Sequence, residues 1–130
     1  MMKVFAVLFS LLLLAVAPSF ATGAVNVNSA QARALLAKNA KMVVLDVRTP
    51  EEYRQAHLKG SLLIPLGELG RRVQEVPRDR PVLVYCAVGA RSQTAASFLS
   101  SKGYRDVYNM ADGLVGWYRN GLPLQVGSSR

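Results

Sequence analysis

The sequence predicts an α/β domain in three layers, a central parallel sheet of about five strands with helices on both faces. Three observations carry that expectation. Short runs rich in Val and Leu alternate along the chain with segments whose apolar residues recur at helical spacing. The runs are apolar almost throughout, as strands buried on both faces require. Helix-start chemistry follows directly on strand ends, with Thr49-Pro50 after one run and Gly89, Arg91 and Ser92 after another. A length of 130 residues with 51% hydrophobic content has room for one core and no second domain, since domains commonly run about 100–150 residues.

In chain order, residues 1–21 read as an export signal. Lys3 supplies the basic start, Val4 through Ala17 is an apolar stretch broken only by Ser10, and Pro18 ends it before the small residues around Ala21. The stretch is too short to span a bilayer, which takes about 20 apolar residues. Cleavage after Ala21 is therefore expected, with a periplasmic or secreted product and no stable membrane insertion afterwards. The remaining 22–130 forms one domain with its core at about 25–123. Val25 and Val27 suggest a first strand, and Asn28 or Ser29 caps a helix running to about Lys38. Met42–Val47 is the second strand, followed by the capping box of Thr49 and Glu52 with Pro50 at the first helical position and Gly60 as the latest helix end. Leu62–Ile64 is the third strand, Gly67–Val76 a helix bounded by Pro77, and Val82–Tyr85 the central strand. A helix from about Ser92 to Lys102 closes on Gly103, Val107–Asn109 is the fifth strand, and Asp112–Trp117 begins a last short helix or loop, with Trp117 in the core or a pocket wall. The tail Gly127–Arg130 reads as disordered.

Sixteen Lys and Arg against eight Asp and Glu give +8, and loss of Lys3 with the signal leaves +7. The positive residues are dispersed and no aromatic-and-basic stripe accompanies them, so nucleic acid is excluded as a partner and anionic small molecules are favoured. One Cys and one His cannot complete a tetrahedral metal set, so no metal site is expected, and no disulfide can form within the chain.

Cys86 ends the central strand and stands before a helix start. The thiolate is the nucleophilic form, and its pKa falls from about 8.5 toward about 3.5–7.5 beside Arg or at a helix N-terminus. Four residues, Ala87, Val88, Gly89 and Ala90, separate Cys86 from Arg91. Curled into a ring, their amides would face inward as a nest for a small anion, with the Arg91 guanidinium closing the rim. Gly89 would permit the positive φ that such a turn needs. Alone, a cysteine is more readily a small buried hydrophobe. The Gly, Arg and Ser92 that follow favour the nucleophile.

The segment Cys86-Ala87-Val88-Gly89-Ala90-Arg91-Ser92 resembles the active-site loop of the rhodaneses, sulfurtransferases that carry a persulfide on this cysteine. A second block, Asp46-Val47-Arg48-Thr49-Pro50-Glu51-Glu52-Tyr53, continuing through His57-Leu58-Lys59-Gly60-Ser61 to Ile64-Pro65, is similar to the family's upstream signature. The resemblance covers roughly Val25 to Pro123 and implies the same three-layer fold. It implies Cys86 as the catalytic nucleophile and Ala87, Val88, Gly89, Ala90, Arg91 and Ser92 as substrate-binding residues; by residue type and position Ser92 also reads as the helix cap. Asp46 and Arg48 read as an internal ion pair that supports the loop wall, and His57 as a turn-fixing residue rather than a general base.

The implied reaction is double displacement. A Cys86 thiolate takes the outer sulfur of a thiosulfate-like donor and passes it to a thiophilic acceptor such as cyanide or a thiol, without a cofactor. The same fold hosts phosphatases and arsenate reductases, whose loops are one residue longer, and non-enzymatic binding modules that lack the cysteine. The protein is expected to be a monomer or weak homodimer. Asp112, where relatives often carry glycine, would place an acidic group near the pocket.

Overall fold

The computed structural model describes residues 23–128. The export-signal reading of 1–21 lies outside them. Five parallel strands form one sheet: β1 (Val25–Val27), β2 (Val43–Asp46), β3 (Leu62–Leu63), β4 (Val82–Tyr85) and β5 (Val107–Met110), in the order β1-β5-β4-β2-β3. Connecting them are α1 (Ser29–Lys38), α2 (Pro50–Gln55), α3 (Leu66–Arg72), α4 (Ala90–Ser101) and α5 (Gly113–Arg119). The order places a switch point between the two central strands: the connection from β2 leads out to β3, and that from β4 leads the opposite way to β5. Ligands of open α/β sheets bind at the carboxyl ends of such strands, where Asp46 pairs in register with Tyr85.

Strand alternation sorts the core into two layers. Val82, Val84 and Cys86 face α3 and α4 with Val43, Leu45, Ala95 and Leu99, whereas Leu83 and Tyr85 face α1 and α5 with Val44, Ala32, Leu114 and Trp117. A continuous apolar run on β4 is thus what burial on both faces demands. The predicted capping box of α2 forms, and of the two candidate caps for α1 it is Asn28 that caps, also within a box. The Asn28 side chain accepts from the Gln31 amide and Gln31 reaches back, and Thr49 and Glu52 do the same across α2.

Boundaries shift where backbone groups find tertiary partners. The predicted helix to Val76 is α until Arg72 and tightens into a 3₁₀ turn, Val73–Glu75. The residue before Pro77 avoids helical backbone, and the Tyr104 hydroxyl takes the Val73 and Val76 carbonyls at 3.0 and 2.6 Å. The helix predicted from Ser92 begins two residues earlier, with Gly89 as its N-cap at φ 99°. At its far end Gly103 takes φ 90°, and the amides of Tyr104 and Gly103 return to Leu99 and Ser100 carbonyls as a Schellman ending. The tail is not loose at its start: Gln125 exchanges both backbone hydrogen bonds with His57, and the Gly127 amide donates to Arg54.

Candidate active site

Cys86 follows β4 at the switch point, and its sulfur does what a capping oxygen does elsewhere. No side-chain oxygen caps α4. Instead the Gly89 amide donates to Cys86 Sγ at 3.1 Å and the Ser92 amide at 3.4 Å. These are among the donors that a helix start leaves without intrahelical partners. Ser92 is therefore not the cap that its position suggested, but lies inside the first turn. Its hydroxyl is 3.3 Å from Sγ and also 3.1 Å from the Gly89 carbonyl, to which it donates. A thiolate, which accepts only, would draw that hydroxyl hydrogen to itself.

The electrostatic consequence follows from opposing terms. Burial pushes the Cys86 thiol up; the Ser92 hydroxyl and the amides of Ser92, Gly89 and Val88 pull it down, and the net is a pKa below the ordinary thiol value. The direct contacts to Sγ thus come from amides and a hydroxyl. Alkylation of the native thiol by iodoacetamide should rise with pH through a midpoint below that of a free cysteine thiol under the same conditions, and Ser92→Ala should move that midpoint upward. A midpoint at or above the free-thiol value would remove the argument.

Arg91 does not close the rim as expected. Its Nη1 and Nη2 donate to the two carboxylate oxygens of Glu52 at 2.8 and 2.9 Å, tying α4 to α2 across 39 residues of sequence. The charge still acts on the site: Glu52 chiefly, and then the charges of Cys86 and Asp46, hold Arg91 protonated against partial burial. Sequence reasoning found Glu52 only as half of a capping box; its partnership with Arg91 has no local signal. The Arg91 contact, opposed by burial and aided by the Thr49 amide, lowers the Glu52 pKa to about 2. Since the folded value lies below the unfolded one, the pair stabilises above about pH 4.5 and that contribution is lost as pH falls toward 2. Glu52→Gln should therefore flatten acid unfolding in that window. The loss at neutral pH should be about 1 kcal/mol, because the pair is partly solvent-screened; chemical denaturation at pH 7 and pH 3 measures both.

Asp46 and Arg48 pair behind the loop at 0% and 4% exposure. Asp46 accepts from the Arg48 amide at 2.9 Å, from Nε at 3.0 Å and Nη2 at 2.7 Å, and from the Tyr85 hydroxyl at 2.6 Å. Arg48 also donates to the Ala56 carbonyl at 2.6 Å. The Tyr85 hydroxyl in turn accepts from the Leu58 amide. Burial first, then the Asp46 charge, pushes the Tyr85 phenol far up, so it serves as a neutral strut. The sequence had shown Tyr85 only as a strand residue. His57 stacks on Tyr53 with ring centroids 3.7 Å apart and donates from Nδ1 to the Tyr53 carbonyl at 2.7 Å. It anchors a turn and the C-terminal tail.

Two glycines let separate segments touch. A Cβ on Gly89 would collide with the Ala111 carbonyl, and one on Gly113, at φ 64°, with the backbone of Ala87 and Val88. Gly113 was read only as the neighbour of Asp112. It is what allows α5 to dock on the loop through Leu114 N–H to the Cys86 carbonyl and Val115 N–H to the Ala87 carbonyl, 2.9 and 3.1 Å. The Asp112 carboxylate accepts from the Ser29 hydroxyl at 2.7 Å, so its charge is engaged with α1. Cys86 has no exposed surface, whereas Val88 is 65% exposed. The sulfur is thus screened from water, and Val88 forms the outer face of the ring.

The family model of the rhodanese-like domain matches residues 22–120. A sulfurtransferase of Allochromatium vinosum is 38% identical over 89 residues, which cover 68% of this chain and 83% of that protein. The thiosulfate sulfurtransferase GlpE of Vibrio cholerae is 34% identical over 102 residues, 78% of this chain and 93% of its own. Among solved structures, a rhodanese-related protein from Thermoplasma volcanium superposes with a TM-score of 0.70 at 33% identity, covering 78% of this chain and 98% of that one.

Proposed function

The chain belongs to the rhodanese-like domain family, and on that premise we propose that it is a sulfurtransferase working through a persulfide on Cys86. The observation that carries the reading is the Cys86 sulfur held by the Gly89 and Ser92 amides beside the Ser92 hydroxyl. Donors so placed stabilise negative charge on sulfur before reaction and again on the outer sulfur of the intermediate. The thiolate attacks the outer sulfur of a thiosulfate-like donor. A new S–S bond forms to Sγ, the donor's S–S bond breaks, and sulfite leaves with the electron pair. The acceptor then takes the outer sulfur and returns Cys86 as thiolate.

Arg91 and the surplus of positive charge favour an anionic donor at long range. The Asp46–Arg48–Tyr85 group and the Glu52–Arg91 pair hold the loop walls rather than reacting. Export through residues 1–21, with work in the periplasm or outside the cell, belongs to the same proposal, as do the donor and acceptor classes. Steady-state assay with thiosulfate and cyanide tests the activity, with a generic phosphate ester as the control. Sulfite release with negligible phosphate release is expected, since four residues between Cys86 and Arg91 make a smaller ring than the phosphatase loop. Phosphate release comparable with sulfite release would overturn the assignment.

A further inference from the structure

We propose that Asn109 is a positioning residue for the nucleophile: its side-chain amide takes over the Gly89 carbonyl when the Ser92 hydroxyl turns to the Cys86 thiolate. This role rests on the sulfur-transfer reading and adds a residue to the same site, one that acts through Gly89 and Ser92 rather than on substrate.

The Gly89 carbonyl accepts from the Ser92 hydroxyl at 3.1 Å, from the Gln93 amide at 3.1 Å and from Asn109 Nδ2 at 3.5 Å. A carbonyl oxygen has two lone pairs, so three donors crowd it, and the Asn109 contact is the longest. The Ser92 hydroxyl has one hydrogen and two claimants, this carbonyl and Cys86 Sγ, 3.3 Å away. While the thiol is protonated the carbonyl can hold that hydrogen. Once the sulfur is a thiolate the hydroxyl turns to it, keeping its hydrogen and changing only its direction. Gly89 is buried, so a carbonyl abandoned there costs free energy comparable with a lost hydrogen bond. The Gln93 bond belongs to α4 and is present in both states. Asn109 supplies what is missing, by closing on the oxygen.

The end of β5 fixes Asn109 for this task. A Cβ on Gly89 would collide with the Ala111 carbonyl, so the chain just after β5 lies against the loop, and Asn109 stands two residues earlier at 2% exposure. Its Nδ2 divides two hydrogens between the Gly89 carbonyl and Asn26 Oδ1, the latter 3.1 Å away on the neighbouring strand β1. Its own Oδ1 has no partner among the described residues. Turned about, the amide would set Oδ1 against two other oxygens, so the side chain keeps its donors inward and leaves an acceptor unpaired. A residue present only to fill the core would carry no such group. The charged groups near the sulfur, Arg91 with Glu52 and the buried Asp46–Arg48 pair, are left in place when Asn109 is replaced.

The test measures Cys86 alkylation by iodoacetamide and sulfite release from thiosulfate across pH, in the parent, Asn109→Leu, Ser92→Ala and the double variant. Asn109→Leu should move the alkylation midpoint upward and, at pH values below it, slow both processes about three- to tenfold, the range of one hydrogen bond. Where the thiol is ionised in both proteins, the rates should converge. In the Ser92→Ala background, which has no hydroxyl to release, Asn109→Leu should shift the midpoint no further. Asn109→Val, with a smaller side chain that suits a strand, repeats the measurement if the leucine variant does not fold. An unchanged midpoint in the single variant would overturn the role. Equal shifts with and without the Ser92 hydroxyl would overturn it too, because they mark a general distortion of the loop. Absence of sulfite release from the parent would contradict the sulfur-transfer reading, while the alkylation arms still decide the part played by Asn109.

Discussion

Cys86→Ser is expected to lower sulfur transfer from thiosulfate by at least about four orders of magnitude while leaving the fold intact, as loss of a nucleophile does in other covalent mechanisms. The serine oxygen can accept the Gly89 and Ser92 amides that Sγ now accepts, so the start of α4 keeps its cap. It has neither the acidity of the thiol nor the ability to hold a sulfane sulfur. Sulfite release under substrate saturation measures the loss, and an unchanged denaturation midpoint shows that it is chemical. Activity within tenfold of the parent would place the reacting atom elsewhere.

Asp46→Asn is expected to be the most destabilising single change near the site, by about 3–5 kcal/mol. At 4% exposure Arg48 cannot recover water for its charge, and the asparagine cannot match a carboxylate accepting from the Arg48 amide and guanidinium and from Tyr85. In a domain of this size the melting temperature should fall by more than about 10 °C. Replacing both partners with apolar residues of similar volume, Asp46→Leu with Arg48→Met, should recover part of the loss, because the unpaired charge is then gone. A single-variant loss under 1 kcal/mol would mean that Arg48 finds another partner.

What the sequence disclosed and what it withheld divide along the reach of the interactions. The five strands and the Thr49–Glu52 capping box depend on residues three or fewer apart in period or pairing, and they stand where the pattern put them, to within a residue or two. The start of α4 was misplaced by two residues because Ser92 has the composition of a cap, whereas Gly89 and the Cys86 sulfur together fill that role. Arg91 was aimed at the ring because its spacing from Cys86 permits that, while its partner, Glu52, lies 39 residues away. Tyr85 reaches Asp46 over the same separation, and Gly113 meets Ala87 across a crossover connection. The sheet order β1-β5-β4-β2-β3 was likewise beyond the pattern. It explains why Asp46 and Cys86 share an edge.

The most direct test of the account is the intact mass of the purified protein before and after thiosulfate. One added sulfur atom, removed by cyanide and absent from Cys86→Ser, is the predicted result. An unchanged mass, or an added sulfur that persists when Cys86 is replaced, would contradict it.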